Sequence, residues 1–367
     1  MFNKNEKAYI ALELYDTLTY HKKREILDLF SSPCDIFDEI NDVQQELSKI
    51  LGTNVAKDFS QTIDERQVDQ YILNTQKLGI TILTCKSENY PQKLLNYADY
   101  PLVLYAKGDV SLLNQMCFGI VGTRKITRYG RDVTEKFATS LAQNNLVIVS
   151  GMADGVDTIA HKSTLAVKGK TIAVLGSGFN NIYPMTNFEL SKRIEAEGLL
   201  LTEYKPSTKP SVYTFPVRNR IIAGLSSGVL ITEAGLKSGA MYTKDYCIDY
   251  NVNLYVVPGN IDNSSSSGCN QVLKSCQANL VTCVEDILLD MNMSDKSPKQ
   301  HKISYQLSLE EQLITNTIKN EEMHLDEIAI LTKLDTKELL RYLTIMEING
   351  IIEKLHGNYY RNRNYQE

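Results

Sequence analysis

The stretch FPVRNRIIAGLSSGVLITEAGLKSGAMYT, residues 215 to 243, decides the fold. It opens with two arginines around an asparagine, runs through an apolar helix into the β-branched run SGVLITEA, and ends on Ser-Gly ahead of a further helix. A strand that leaves one helix and feeds the next through a glycine-bearing loop is the repeating unit of a parallel sheet with helices on both faces.

The same texture runs outward over residues 96 to 290. The segments LVLYAKG, FGIVGT, LVIVSG, KTIAVLGSG, GLLLTEY, NLYVVPGN and NLVTCV read as further strands, separated by helices such as 130 to 143, 155 to 167 and 239 to 250. Thr186 and Glu189 have capping-box spacing and predict a helix start there. Residues 1 to 95 read as a small helical module, because EKAYIALELYDTL, KKREILDLF and DVQQELSKIL place apolar residues three and four apart; GITILTC, 79 to 85, is its first strand-like segment. Residues 291 to 304 have no apolar period and read as a linker. Beyond it, residues 305 to 367 give a Ser308–Glu311 capping box, three helices with Gly350 closing the third, and a hairpin turning at Gly357-Asn358. That order is a winged helix-turn-helix.

Composition bounds the function. A chain of 367 residues, 43% apolar and 23% charged, is long enough for two or three globular domains at roughly 100–200 residues each. The net charge of −5 means that a polyanion would have to meet a local cationic cluster, not a uniformly positive surface. No apolar run approaches the roughly 18 residues of a spanning helix and no signal-peptide pattern opens the chain, so a cytoplasmic protein is expected. Seven cysteines without a CxxC or CxxH pair read as reduced thiols, with neither a disulfide framework nor a metal site.

In a doubly wound sheet, ligands settle at the carboxyl ends of the strands. Four loops there carry Gly, Ser or Arg: Gly122 and Arg124 in VGTR; Ser150 and Gly151 in VSG; Gly176, Ser177 and Gly178 in GSG; and Ser238, Gly239 and Thr243 in SGAMYT. Backbone amides and hydroxyls with a forked guanidinium are the chemistry of phosphate capture. GSGFNN lacks the third glycine of the dinucleotide fingerprint and no GxxxxGK[ST] occurs, which argues against NAD or a P-loop nucleotide; no cofactor is expected. Arg218 and Arg220 point about 200° apart on a helix, so they cannot face one ligand alike, and either could pair with Glu203 or Glu233 instead. Phe215 beside a phosphate site suits base stacking. Asp157 and His161 lie one helical turn apart and are expected to hold each other, or the backbone, near the sheet. Tyr242 and Tyr246 are expected to pack. In the winged unit, Lys337 and Arg341 share their helix with Glu338 and Glu347, which favours protein docking over reading of a duplex.

These motifs together, GIVGTRKITRYG, IVSGMADGVDTIAH, TIAVLGSGFNNIYPMTN, FPVRNRIIAGLS, TEAGLKSGAMYT, VPGN and GCNQVL, resemble the DNA-processing protein A family, also called DprA or Smf. The resemblance implies an extended Rossmann-like core with a SAM-like helical front and a winged C-terminal unit. It further implies a homodimer that holds single-stranded DNA without sequence preference and loads the recombinase RecA during natural transformation. Matched by motif, the strand contacts would be Gly122, Arg124, Ser150, Gly151, Phe215, Asn219, Arg220, Ser238, Gly239 and Thr243, and Arg218 and Lys244 are expected beside them. Met185 stands where the family often has a lysine, with Lys244 or Lys237 as replacement, and Cys276-Gln277 stand where it usually has Gly-Ala. No catalytic residue is expected. The competing reading, a Rossmann-like enzyme cleaving nucleotide N-glycosidic bonds, would need Glu233 in the site; a third makes the winged unit a transcription regulator.

Overall fold

The computed structural model describes residues 2–15, 18–293, 307–318, 322–348, 351–355 and 357–362. Gly350 and residues 294–304 of the expected linker lie outside them. The chain divides into two compact units, Met1–Pro298 and Lys299–Glu367.

The first unit opens with helices α1 (Lys4–Leu14), α2 (Tyr20–Leu27), α3 (Ile36–Glu39), α4 (Gln44–Leu51), α5 (Thr53–Thr62) and α6 (Glu65–Lys77). Reciprocal bonds between Asn3 and Glu6 start α1, and Gly52, at φ +86°, turns α4 into α5 where a side chain would be strained. Strands β1 (Thr81–Thr84), β2 (Val103–Gly108), β3 (Cys117–Val121), β4 (Val147–Ser150), β5 (Thr171–Val174), β6 (Leu199–Thr202), β7 (Gly228–Ile231), β8 (Asn253–Val256) and β9 (Asn279–Leu280) form one sheet in the order β1-β2-β6-β5-β4-β3-β7-β8-β9. Its connections carry α7 (Arg128–Gln143), α8 (Val156–Ala166), α9 (Phe188–Glu197), α10 (Thr214–Leu225), α11 (Ala240–Asp249), α12 (Ser267–Lys274) and α13 (Val284–Asp290).

The sheet is parallel from β6 across to β9, whereas β1–β2 and β2–β6 are antiparallel. An all-parallel expectation fails at that edge because the link from β1 to β2 carries a single 3₁₀ turn, Gln92–Asn96, in place of the crossover helix that parallel pairing needs. Alternate residues feed two cores. Cys117, Val121, Val147 and Val149 face the core that includes the front helices, while Phe118, Ile120 and Ile148 face the one filled from α7, α8 and α13. Each such buried aliphatic contributes about 1.5–3 kcal/mol relative to exposure.

The expected Thr186–Glu189 capping box does not form. Thr186 donates to Asp154 Oδ1 at 2.9 Å, Glu189 pairs with Lys192 at 3.1 Å, and α9 starts behind Asn187. From β3 the chain winds one way through β4 and β5 to β6, then resumes on the other side with β7, β8 and β9. The loops after β3 and β7 therefore part at the carboxyl edge and leave a crevice.

The second unit holds α14 (Leu309–Ile318), β10 (Met323–His324), α15 (Leu325–Thr332), α16 (Thr336–Ile348), β11 (Ile352–Lys354) and β12 (Tyr359–Asn362), with sheet order β10-β12-β11. Ser308 and Glu311 exchange the expected capping bonds, at 2.8 and 3.2 Å. Gly357 and Asn358, both at positive φ, turn the hairpin, and Ile328, Leu339, Leu343, Ile352 and Tyr360 form the core of a winged helix. The exposed side of α16 mixes Lys337 and Arg341 with Glu338, Leu340 and Glu347. No described helix is long and apolar enough to cross a membrane.

Candidate functional site

A cleft of about 520 Å³ opens at the switch point, between the loops that follow β3 and β7 and the start of α10. Its β3 wall is pinned in place. Thr123 N–H donates to Glu233 O at 2.7 Å and Thr123 O accepts from Val156 N–H at 3.1 Å. A side chain at Gly122 would lie 2.5 Å from Val156 Cγ2 and 2.7 Å from Glu233 O, so glycine lets this loop close onto α8. The pinned loop leaves Arg124 and Lys125 exposed at the mouth. The Arg124 guanidinium lies 5.3 Å from the Phe215 ring centre.

The β7 wall supplies Lys237, Ser238 and Gly239, and then Tyr242 and Thr243 from the first turn of α11. Ser238 accepts from Ala240 N–H at 3.3 Å, and a Cβ on Gly239 would meet nothing within 4 Å. Asn219 ties the two sides together, donating to Gly239 O at 3.3 Å and accepting from Arg218 Nε at 3.1 Å. Arg124, Lys125 and Lys237 thus rim the cleft, and none pairs with a carboxylate among the described residues. The positive end of α11 adds to their field.

Four expected contacts need correction. Arg220 points away from the cleft: it is 4% exposed, ion-paired to Glu203 and 3.8 Å from Asp99. Arg218 lines the floor but is 3% exposed, with its guanidinium donating to Gly151 O at 2.8 Å and to Val174 O, and with Asp157 nearby. It braces the loop after β4. Burial lowers its pKa to about 10, so it stays charged at neutral pH, and burial raises that of Asp157 against the pull of Arg218. Ser150 is fully buried and donates to Ile120 O at 2.6 Å, linking β4 to β3. Lys244 pairs with Asp245 at 2.5 Å and is not part of the cleft wall. Phe215 is half-buried and lines the cleft, with its ring against Gly176 and 5.5 Å from Tyr183. Gly151 keeps its place for a spatial reason: a Cβ there would sit 2.6 Å from Arg218 Nη2 and 2.7 Å from Asp157 Oδ2.

Of the remaining loop residues, Ser177 donates to Asn181 O at 2.7 Å and holds its own turn. Buried His161 meets Thr171 Oγ1 at 2.7 Å, not Asp157. The Glu233 carboxylate is buried and accepts from Thr127 N–H and Oγ1, at 2.8 and 2.7 Å, securing the start of α7. Lys125 and Tyr183 were not singled out from the sequence, although Lys125 directly follows Arg124. Tyr242, expected to pack, is 54% exposed on the cleft wall.

Residues 81–292 match the family model of DNA recombination-mediator protein A, and 298–358 match that of the DprA winged helix domain. The chain is 36% identical over 214 residues to DNA processing protein DprA of Bacillus subtilis, covering 58% of this chain and 72% of the relative. It is 34% identical over 294 residues to protein Smf of Escherichia coli, 77% of each chain. Among solved structures, DNA processing protein A of Streptococcus pneumoniae superposes with a TM-score of 0.68 at 32% identity, over 79% of this chain and 99% of that one. The protein of the same name from Helicobacter pylori, solved for its single-stranded DNA binding mode, gives 0.53 at 34% identity over 58% and 95%.

Proposed function

Because this chain belongs to the DNA recombination-mediator protein A family, we propose that its cleft grips single-stranded DNA by the sugar–phosphate backbone and performs no chemistry on it. One observation carries the reading: three exposed cations, Arg124, Lys125 and Lys237, rim a crevice at the switch point of a protein whose net charge is −5. Unpaired cations attract polyphosphate through counterion release, and a mouth formed by loops suits a flexible strand better than a rigid duplex. Gly122, Gly151, Ser238, Gly239 and Asn219 shape the walls, and Arg218 braces the floor.

The same reading makes the chain a cytoplasmic recombination mediator, acting as a homodimer that protects incoming DNA and loads RecA onto it during natural transformation. The family's description as a recombination mediator supports this extension. The hydrolase alternative loses ground because Glu233 is committed to Thr127.

The test is a gel shift with oligo-dT. Arg124→Ala removes a charge-assisted phosphate contact and should weaken binding at least about tenfold with the unfolding temperature unchanged. Unchanged affinity in Arg124→Ala and in Lys237→Ala would refute the site.

A further inference from the structure

We infer that Tyr242 is a stacking platform for one unpaired nucleobase of the strand held in the cleft. The inference rests on the strand-binding reading and adds to it a base-contacting subsite, independent of the phosphate contacts.

Tyr242 sits in the first turn of α11, where helical spacing would pair it with Tyr246. The structure separates the two. Tyr246 turns inward and meets Tyr250 at 5.9 Å between ring centres, whereas Tyr242 is 54% exposed and lines the cleft. An aromatic ring left half in water forgoes burial that its helix could supply from the other face, and a flat, sequence-tolerant surface beside phosphate-holding cations is what base stacking uses. Two other aromatics line the cleft, and they lie against each other: Tyr183 and Phe215 are 5.5 Å apart between ring centres, with Arg124 5.3 Å from the Phe215 ring, whereas Tyr242 has no ring or cation contact among the described residues.

A second observation comes from the next residue. Thr243 lines the same cleft, is fully buried, and its Oγ1 has no hydrogen-bond partner among the described residues. A buried hydroxyl left without a partner is costly. The polar edge of a nucleotide stacked on Tyr242 would supply that partner.

The experiment compares a thymine oligonucleotide with an abasic oligonucleotide of equal length, by fluorescence anisotropy, on the full chain and on Tyr242→Ala, Tyr242→Leu and Tyr242→Phe. The inference expects Tyr242→Ala to weaken the thymine complex about 5- to 100-fold while leaving the abasic complex unchanged. Tyr242→Phe keeps the ring and should bind both as the unaltered chain does; Tyr242→Leu, similar in bulk but not aromatic, should behave like the alanine variant. Equal weakening on both oligonucleotides, or no weakening on either, overturns the stacking role while strand binding stands. Failure of the unaltered chain to bind either oligonucleotide would instead remove the strand-binding reading, and this subsite with it.

Discussion

Replacing Arg220 should unfold the protein more readily and leave strand affinity in the surviving folded molecules intact. Its guanidinium, 5% exposed, is held between Glu203 and Asp99, which are 15% and 16% exposed, and Tyr250 OH donates to the same Asp99. Removing one member of a buried pair leaves the other charge uncompensated and costs about 3–5 kcal/mol. At roughly 2 °C per kcal/mol for a unit of this size, Arg220→Met should lower the unfolding temperature by about 6–10 °C. Burial already raises the Glu203 pKa against the pull of Arg220, and losing the arginine raises it further. A carboxyl whose folded pKa lies above its unfolded value makes the fold less stable as pH rises, so the deficit of Arg220→Met should shrink as pH falls from neutral toward 5. Adding Glu203→Gln should recover part of the loss, because one of the two stranded carboxylates is gone. Scanning calorimetry at two pH values, alongside oligo-dT titration, reads both quantities. An Arg220→Met protein with unaltered melting and a tenfold weaker hold on the strand would refute the reasoning, since the side chain would then be reaching the ligand.

Two other outcomes follow from buried groups and from the second unit. Burial, with a smaller contribution from Arg218, lowers the His161 pKa to about 3, so the unfolded chain takes up a proton that the folded one refuses below about pH 6.5. Stability should therefore fall on acidification by up to about 1.4 kcal/mol per pH unit from this residue, and His161→Gln should reduce the drop between pH 7 and 5 by about 2 kcal/mol in urea unfolding. Deleting residues 305–367 should change oligo-dT affinity by less than about tenfold, because the exposed side of α16 alternates in charge and offers few phosphate contacts; abolished binding would move the site to the winged unit.

The eight strands from β2 to β9 are legible in the sequence because β-branched runs bounded by glycine carry a local signal, and the two loops of the cleft follow from where such strands end. What was not legible depends on partners distant in the chain. The sequence offers Glu203 as a partner for either arginine of the pair, but that Arg220 takes it, with Asp99 beside it, is settled only once β6 and the loop before β2 are side by side, and Ser150 loses its hydroxyl to a carbonyl on the neighbouring strand. Thr186 has the spacing of a cap, but Asp154 competes for its hydroxyl. Tyr242 misled for a related reason: its spacing with Tyr246 marks one helix face, but at the first turn of α11 that face has already run out over the cleft. The cation supply shows the same limit, since Arg218 and Arg220 of the quoted motifs face inward and the rim is completed by Lys125 and Lys237, each in a loop whose direction only the folded sheet sets.

The central claim is that a small cationic rim on an anionic protein selects an unpaired strand. It is tested most directly by competing labelled single-stranded against duplex oligonucleotide of the same length at about 50 and 200 mM salt. Three rim cations at about 0.7 counterion each predict a log–log slope near −2, so single-strand affinity should fall about 20-fold between the two salts and exceed duplex affinity at both. Equal affinity for the two forms, or binding indifferent to salt, would contradict it.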